Sequence, residues 1–201
     1  MGPIFIEMPV YPEKIAQMLS TLQHCGAPKD IADIGRAVDL KCGCVVEFHT
    51  TIHDTAISSI RFRSNGCGFM VAAAEILAKN FSGSELKELG GGEIEIQQLL
   101  FELEIGEEFG ERVICVETAI DAFRAALASH RERVSAEFVG ESPLVCTCFG
   151  VTEEQIDEMI SSNNVRTLEE ITTYCRAGSG CGSCRMLIQD QLEGQVLRAL
   201  E

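Results

Sequence analysis

No apolar run in this chain approaches the roughly 20 residues that a membrane span needs, although 46% of its 201 residues are hydrophobic. Met1-Gly2-Pro3 leads into no basic region followed by an apolar block, so no secretory leader is expected. The expectation is a cytoplasmic protein with no membrane partner. Basic residues are scarce: 16 Lys and Arg face 31 Asp and Glu, for a formal charge of -15. The deficit holds on both sides of Gly140, with 12 basic against 21 acidic residues before it and 4 against 10 after. Phosphate contacts need clustered Lys and Arg, so nucleic acid is not an expected partner. Histidine is also rare. His24, His49, His53 and His130 fall in no H-E-x-x-H pattern and are expected at the surface or in satisfied core positions. Gly90-Gly91-Gly92 lacks the Lys and Ser or Thr of a phosphate loop and is expected to be a flexible link. The acidic stretch Glu93 to Glu111 suits a solvated amphipathic helix. With no nucleophile and general base to pair, the chain is not expected to be an enzyme.

What the chain has in excess is cysteine, ten of them. In a reducing compartment that pattern reads more readily as metal binding than as disulfides. After Ser142 the spacing supports this. Cys146 and Cys148 form C-x-C, thirty-two residues intervene, and Cys181 and Cys184 form C-x-x-C. Two close pairs joined by a folded spacer give four thiolates, which suit zinc or a [2Fe-2S] cluster alike. The capping boxes T-E-E-Q (152–155) and T-L-E-E (167–170) predict two helices in the spacer, and a third is expected to begin at the C-x-x-C and place Cys181 and Cys184 in its first turn. Gly178, Gly180 and Gly182 would let the backbone approach a bulky group closely. Cys175 breaks the pair pattern and is expected to be a core or spectator thiol; Cys25 is expected to be structural.

The segment V-C-T-C-F-G-V-T-E-E through T-Y-C-R-A-G-S-G-C-G-S-C closely resembles the central [2Fe-2S] domain of NifU proteins, which is related to bacterioferritin-associated ferredoxin (BFD). The resemblance covers about fifty residues. It implies a small all-helical domain in which Cys146, Cys148, Cys181 and Cys184 hold a permanent, redox-active [2Fe-2S] cluster, and so favours iron-sulfur over zinc.

In the first 135 residues, Ile15, Met18, Leu19 and Leu22 mark a helix over 12–22. Residues 44–52 and 57–63 read as strands joined by His53-Asp54-Thr55 in an antiparallel hairpin. A helix is expected after Gly66-Cys67-Gly68, a short one capped by Ser82-x-x-Glu85, and a long one opening at Cys115 and running to about Arg133. The layout is α+β, with helices covering a small sheet. Cysteines stand at element boundaries, where helix N-termini favour thiolates. The order L-K-C-G-C-V-V-E-F, I-R-F-R-S-N-G-C-G, E-R-V-I-C-V-E-T-A-I-D-A-F-R-A-A, with D-I-G-R-A-V-D-L upstream, resembles the IscU and NifU N-terminal scaffold family over about 110 residues.

That resemblance implies that Cys42, Cys67 and Cys115 receive iron and sulfur from a cysteine desulfurase of the NifS or IscS kind, assemble a cluster and pass it to apo iron-sulfur acceptor proteins. An electron donor would serve the second domain, and zinc could occupy the scaffold site as purified. A homodimer sharing a cluster is a further expectation. The chain departs from the family pattern at several points: Cys44 stands where the family has Asp, Ile114 where it commonly has His, and Phe109-Gly110 where it has paired prolines. The C-terminal Nfu-type domain is expected to be lacking. In an extended strand Cys42 and Cys44 would share a face, so Cys44 is a candidate fourth thiolate that would hold the N-terminal cluster more tightly. The expected organisation is a scaffold domain over 1–135, a linker over 136–143 and a [2Fe-2S] domain over 144–201. The leading function is cluster assembly; the alternative is a two-cluster electron carrier serving an oxidoreductase, and a zinc-stabilised interaction module stands third.

Overall fold

The structure is a computed structural model that describes residues 11–28, 33–90, 94–163 and 165–198. The opening Met1-Gly2-Pro3, and Gly91, Gly92 and Glu93 of the expected link and acidic helix, lie outside those residues.

Alternating apolar residues build the first domain's sheet. Strands β1 (Asp33–Val38), β2 (Val45–His53) and β3 (Ala56–Ser64) pair antiparallel in that order. The expected hairpin forms with a two-residue turn, Asp54-Thr55, between the paired His53 and Ala56. Asp54 takes φ 54°, the left-handed conformation that such turns demand and that a short polar side chain tolerates. Val46, Phe48, Ile52, Ile57, Ile60 and Phe62 turn a buried face toward helices α2 (Gly68–Phe81) and α4 (Val113–Glu137). Phe123 of α4 joins the layers, edge-on to Phe48 at 5.5 Å and stacked on Phe81 at 5.3 Å. Helix α2 is buried from Gly68 to Ala78 apart from Val71, which explains its nearly unbroken apolar sequence. Helix α1 (Glu13–Leu19) packs on α2, and beyond it Glu75 of α2 accepts the N–H groups of Gln23 and His24 at 3.0 and 3.2 Å.

Strand β1 was not anticipated, because its residues read as Gly-containing and half-polar. Gly35 explains how it seats: a Cβ there would stand 1.9 Å from the Ala126 nitrogen and 2.3 Å from the Ala122 oxygen, so strand and helix touch backbone to backbone. Asp33 of β1 also meets α4, accepting from Arg133 Nε at 2.8 Å and lying 2.9 Å from His130 Nδ1.

Other expectations shift by a turn. Ser82 ends α2 as its C-cap; the following 3-10 turn, Leu86–Leu89, is capped instead by Glu85 in a box with Glu88. The acidic stretch breaks into α3 (Ile96–Glu102) and a 3-10 turn, Glu107–Arg112. Helix α4 starts at Val113, two residues before Cys115, and continues to Glu137, which shortens the connection to 138–143.

The second domain is helical except for a small ribbon, β4 (Leu144–Cys146) paired with β5 (Val151–Thr152). Thr152 and Thr167 cap α5 (Glu153–Ser162) and α6 (Leu168–Cys175) through complete capping boxes, as expected. Ile156, Ile160, Ile171, Ile188 and Leu192 form its buried centre, the last two from α7 (Arg185–Arg198). Helix α7 begins after the C-x-x-C, so Cys181 and Cys184 stand in the turn that enters it and not in its first turn. Among the described residues no helix is long and apolar enough to cross a membrane.

Candidate metal centres

The first domain gathers its thiols from three element boundaries. Cys67 is the N-cap of α2, with extended φ and ψ, and Cys115 lies in the first turn of α4; their Sγ atoms are 3.5 Å apart. Cys42 and Cys44 do not alternate along a strand. They sit in the turn before β2, which reverses at Gly43 with φ 72°. The turn is closed by the Asp39 N–H donating to Cys44 O at 2.9 Å and the Gly43 N–H donating to Asp39 O at 2.8 Å. Cys42 donates its thiol to Asp39 Oδ2 at 3.1 Å, and Cys44 is its second side-chain partner.

The helix-terminus argument for thiolates does not carry here. Burial, then the Cys67 contact, pushes the Cys115 thiol up to about 12, against the pull of Arg112. The Asp39 carboxylate, then Cys44, pushes Cys42 up to about 11. Asp39 also raises Cys115 through its charge. These two thiols hold their protons at neutral pH and release them when a metal binds.

The second domain is built differently. Cys146 ends β4, Cys148 follows in the ribbon loop, and Cys181 and Cys184 come from the glycine turn. The sulfurs form a chain of contacts: Cys184 and Cys148 both reach Cys146, and Cys148 reaches Cys181 at 3.4 Å. Cys146 is held low by Cys148 and then Cys184, while the backbone N–H groups of Gly178 and Phe149 also aim at it. Cys181 is pulled down to about 5 by Cys148, with help from the Ser183 hydroxyl and backbone. Cys148 and Cys184 are correspondingly raised, each chiefly by Cys146. Gly180 is a required close approach, since a Cβ there would lie 3.0 Å from Cys148 Sγ and 3.3 Å from the Phe149 ring.

Among the described residues no three His, Cys, Asp or Glu side chains converge on a single ion position. Sulfurs in close contact include Cys67 with Cys115 in the first domain and Cys148 with Cys181 in the second. Two thiolates on one tetrahedral ion with metal–sulfur bonds of about 2.3 Å would lie about 3.8 Å apart, close to the 3.4 and 3.5 Å seen. A pair per iron is what a [2Fe-2S] cluster asks of four cysteines, and the amide-lined, Cβ-free loop of the second domain fits such a group.

The comparisons with known proteins follow these two halves. The profile of the "NifU-like N terminal domain" family matches residues 10–137. The chain belongs to this family. The BFD-like [2Fe-2S] binding domain matches residues 144–193, so the second domain is a [2Fe-2S] binding domain of that kind. The nitrogen fixation protein NifU of Azospirillum brasilense is 25% identical over 195 residues, 94% of this chain and 61% of that protein. The NifU of Trichormus azollae is 25% identical over 190 residues, 90% of this chain and 62% of that protein. The chain therefore spans about three fifths of these relatives. The iron-sulfur cluster assembly scaffold protein IscU of Haemophilus influenzae is 29% identical over 93 residues, 46% of this chain and 70% of that protein. In fold, the N-terminal NifU-like protein of Brucella abortus superposes with a TM-score of 0.53 at 13% identity, over 61% of this chain and 94% of that one. The α+β class, with an IscU-like small antiparallel sheet under helices, holds.

The remaining candidates are resolved by their surroundings. Cys175 is half-buried at the end of α6 and donates to Ile171 O at 3.2 Å, consistent with a spectator. Cys25 is exposed, so it is no core thiol. His24 pairs with Glu75 and His130 with Asp33; His49 Nε2 lies 2.8 Å from Glu47 Oε1, off the line of a hydrogen bond. Sequence reasoning missed two charged groups. Asp39 could have been found as an Asx residue, since its Oδ1 accepts the Lys41 N–H two positions on at 2.8 Å. Arg131 of α4, whose charge lowers Cys181, carries no local signal.

Proposed function

We propose that the chain is an iron-sulfur cluster assembly scaffold whose first domain carries a cluster as cargo and whose second keeps a resident [2Fe-2S] cluster. The observation that carries this reading is the contrast between the sites. Cys42 is exposed on a surface turn, and Cys44 and Cys67 are only partly buried. Cys146, Cys148 and Cys184 are buried, and backbone amides are directed at their sulfurs. That arrangement favours retention over release.

On this reading Cys42, Cys44, Cys67 and Cys115 receive iron and sulfur, the latter from a cysteine desulfurase, and deliver the assembled cluster to apo iron-sulfur acceptors. The resident cluster on Cys146, Cys148, Cys181 and Cys184 supplies one-electron redox chemistry, fed by an electron donor. The amides of Gly178, Phe149, Cys181 and Ser183 stabilise the sulfurs' negative charge, and Gly180 leaves Cys148 room. The chain acts as a carrier in the cytoplasm and catalyses no reaction of its own. Zinc is a competing occupant of the first site.

The test loads the full chain with iron and sulfide through a cysteine desulfurase and mixes it with an apo-ferredoxin. About two irons should move to the acceptor and about two remain. If every iron stays and both clusters undergo reversible one-electron reduction, the chain is an electron carrier instead.

A further inference from the structure

Helix α4 belongs to the first domain, yet its C-terminal turns help to enclose the second domain's site. A cavity of about 310 Å³ is lined by Cys146, Cys148, Cys181 and Cys184 and also by Arg131, Glu132 and Ser135 of α4. A neighbouring cavity of about 370 Å³ repeats the juxtaposition, with Leu127, Ala128 and Arg131 of α4 beside Cys181 and Ser183. Arg131, Cys181 and Ser183 border both cavities, so the C-x-x-C turn is seated against the helix.

Arg131 is the cation of this wall. It is half-buried, whereas its neighbour Glu132 is exposed. Arg124 and Arg133 of the same helix pair with Asp121 and Asp33, but among the described residues Arg131 joins no ion pair. A partly desolvated guanidinium is costly to hold without a counter-charge. A [2Fe-2S] group on four cysteine thiolates is an anion, and one-electron reduction adds further negative charge to it. A cavity of the first volume is about 8 Å across, no wider than the screening length of about 8 Å at physiological salt, so a charge on one wall is felt at another. A cation there stabilises the reduced form more than the oxidised one and raises the reduction potential.

We propose that the first domain completes the second domain's site: Arg131 of α4 faces the resident cluster and favours its reduced state, so that the potential of the [2Fe-2S] group is set across the domain boundary. Arg131 binds no iron and acts through its charge alone. The proposal rests on the reading of Cys146, Cys148, Cys181 and Cys184 as the holders of that cluster.

The test is a potentiometric titration of the loaded full chain, read by the electron paramagnetic resonance of the reduced cluster, in a Cys67→Ser background that removes a ligand of the first site. Arg131→Gln should lower the potential by about 59 mV, a tenfold shift toward the oxidised form for one electron, with unchanged iron content and helical circular dichroism. Arg131→Lys keeps the charge and should restore most of that fall. Ser135→Lys adds a cation at an exposed position of the same wall and should raise the potential. An unchanged potential in Arg131→Gln, or a fall in Arg131→Lys as large as in Arg131→Gln, overturns the proposal; where Arg131→Gln does not load, an unchanged potential in Ser135→Lys does so. A resonance that survives Cys184→Ala refutes the four-cysteine reading instead, and the proposal falls with it.

Discussion

At the scale of single residues, the two sites differ in what surrounds sulfur. In the second domain backbone amides do the work, and they reach the thiols only because the loop between α6 and α7 lies so close. Gly180 makes this testable. An added methyl would stand 3.0 Å from Cys148 Sγ and 3.1 Å from its Cβ, forcing a few tenths of an ångström between loop and ligand. Gly180→Ala should keep the helical circular dichroism while holding iron about tenfold less firmly, in line with the sensitivity of metal sites to their supporting contacts. Iron and sulfide per chain after gel filtration checks this; wild-type content would mean the loop is not a tight cradle. The cysteine contacts that the structure forms, Cys67 with Cys115 and Cys148 with Cys181, join residues that spacing and family likeness had singled out, because ligand chemistry demands cysteine itself. Their protonation was not legible, because the Asp39 contact at Cys42, and the burial and Cys67 contact that outweigh the helix terminus at Cys115, arise only on folding.

Among elements, β1 and α4 decide whether the scaffold domain keeps its shape, and this contact was the part of the fold least visible in advance. Periodicity found β2, β3 and α2, whose buried faces are written in apolar residues. Strand β1 is instead held by a missing side chain and an ion pair, neither of which has a period. Gly35→Ala must push Ala122 and Ala126 of α4 away, backbone against methyl, at about 3 kcal/mol or more. A urea midpoint close to wild type would show that strand and helix are less intimate than they look.

The ion pair gives a pH signature. Burial alone would raise the Asp33 carboxyl, but the Arg133 and then the His130 hydrogen bond hold it below 3.8. A depressed folded-state value means the contribution is complete above the unfolded value near 3.8 and disappears as pH falls through the lower, folded one. Asp33→Asn should therefore cost about 1–3 kcal/mol at pH 7, and the gap to wild type should narrow below pH 3.8. Urea titrations of both proteins at neutral pH and near pH 3 measure it; a gap independent of pH would remove the carboxylate from the account.

For the whole molecule the question is whether two four-thiol sites in one chain behave as one store of iron or as two. The first site is built from a surface turn and two helix ends, with Cys42 exposed and Cys115 buried under a raised thiol. The second has three buried ligands in an amide-lined loop. A chelator reaches metal through exposed ligands, which the first site offers at Cys42 and the second largely buries. Iron should therefore leave the anaerobically loaded chain in two phases, about two irons quickly and about two slowly. Cys67→Ser should abolish the fast phase and leave the slow one; Cys184→Ala should do the reverse. The ligands of each site come from a different set of elements, so each variant should keep the other site's iron. A single phase lost together in either variant would mean that the sites share one cluster pool, and the division of labour between cargo and resident cluster would have to be abandoned.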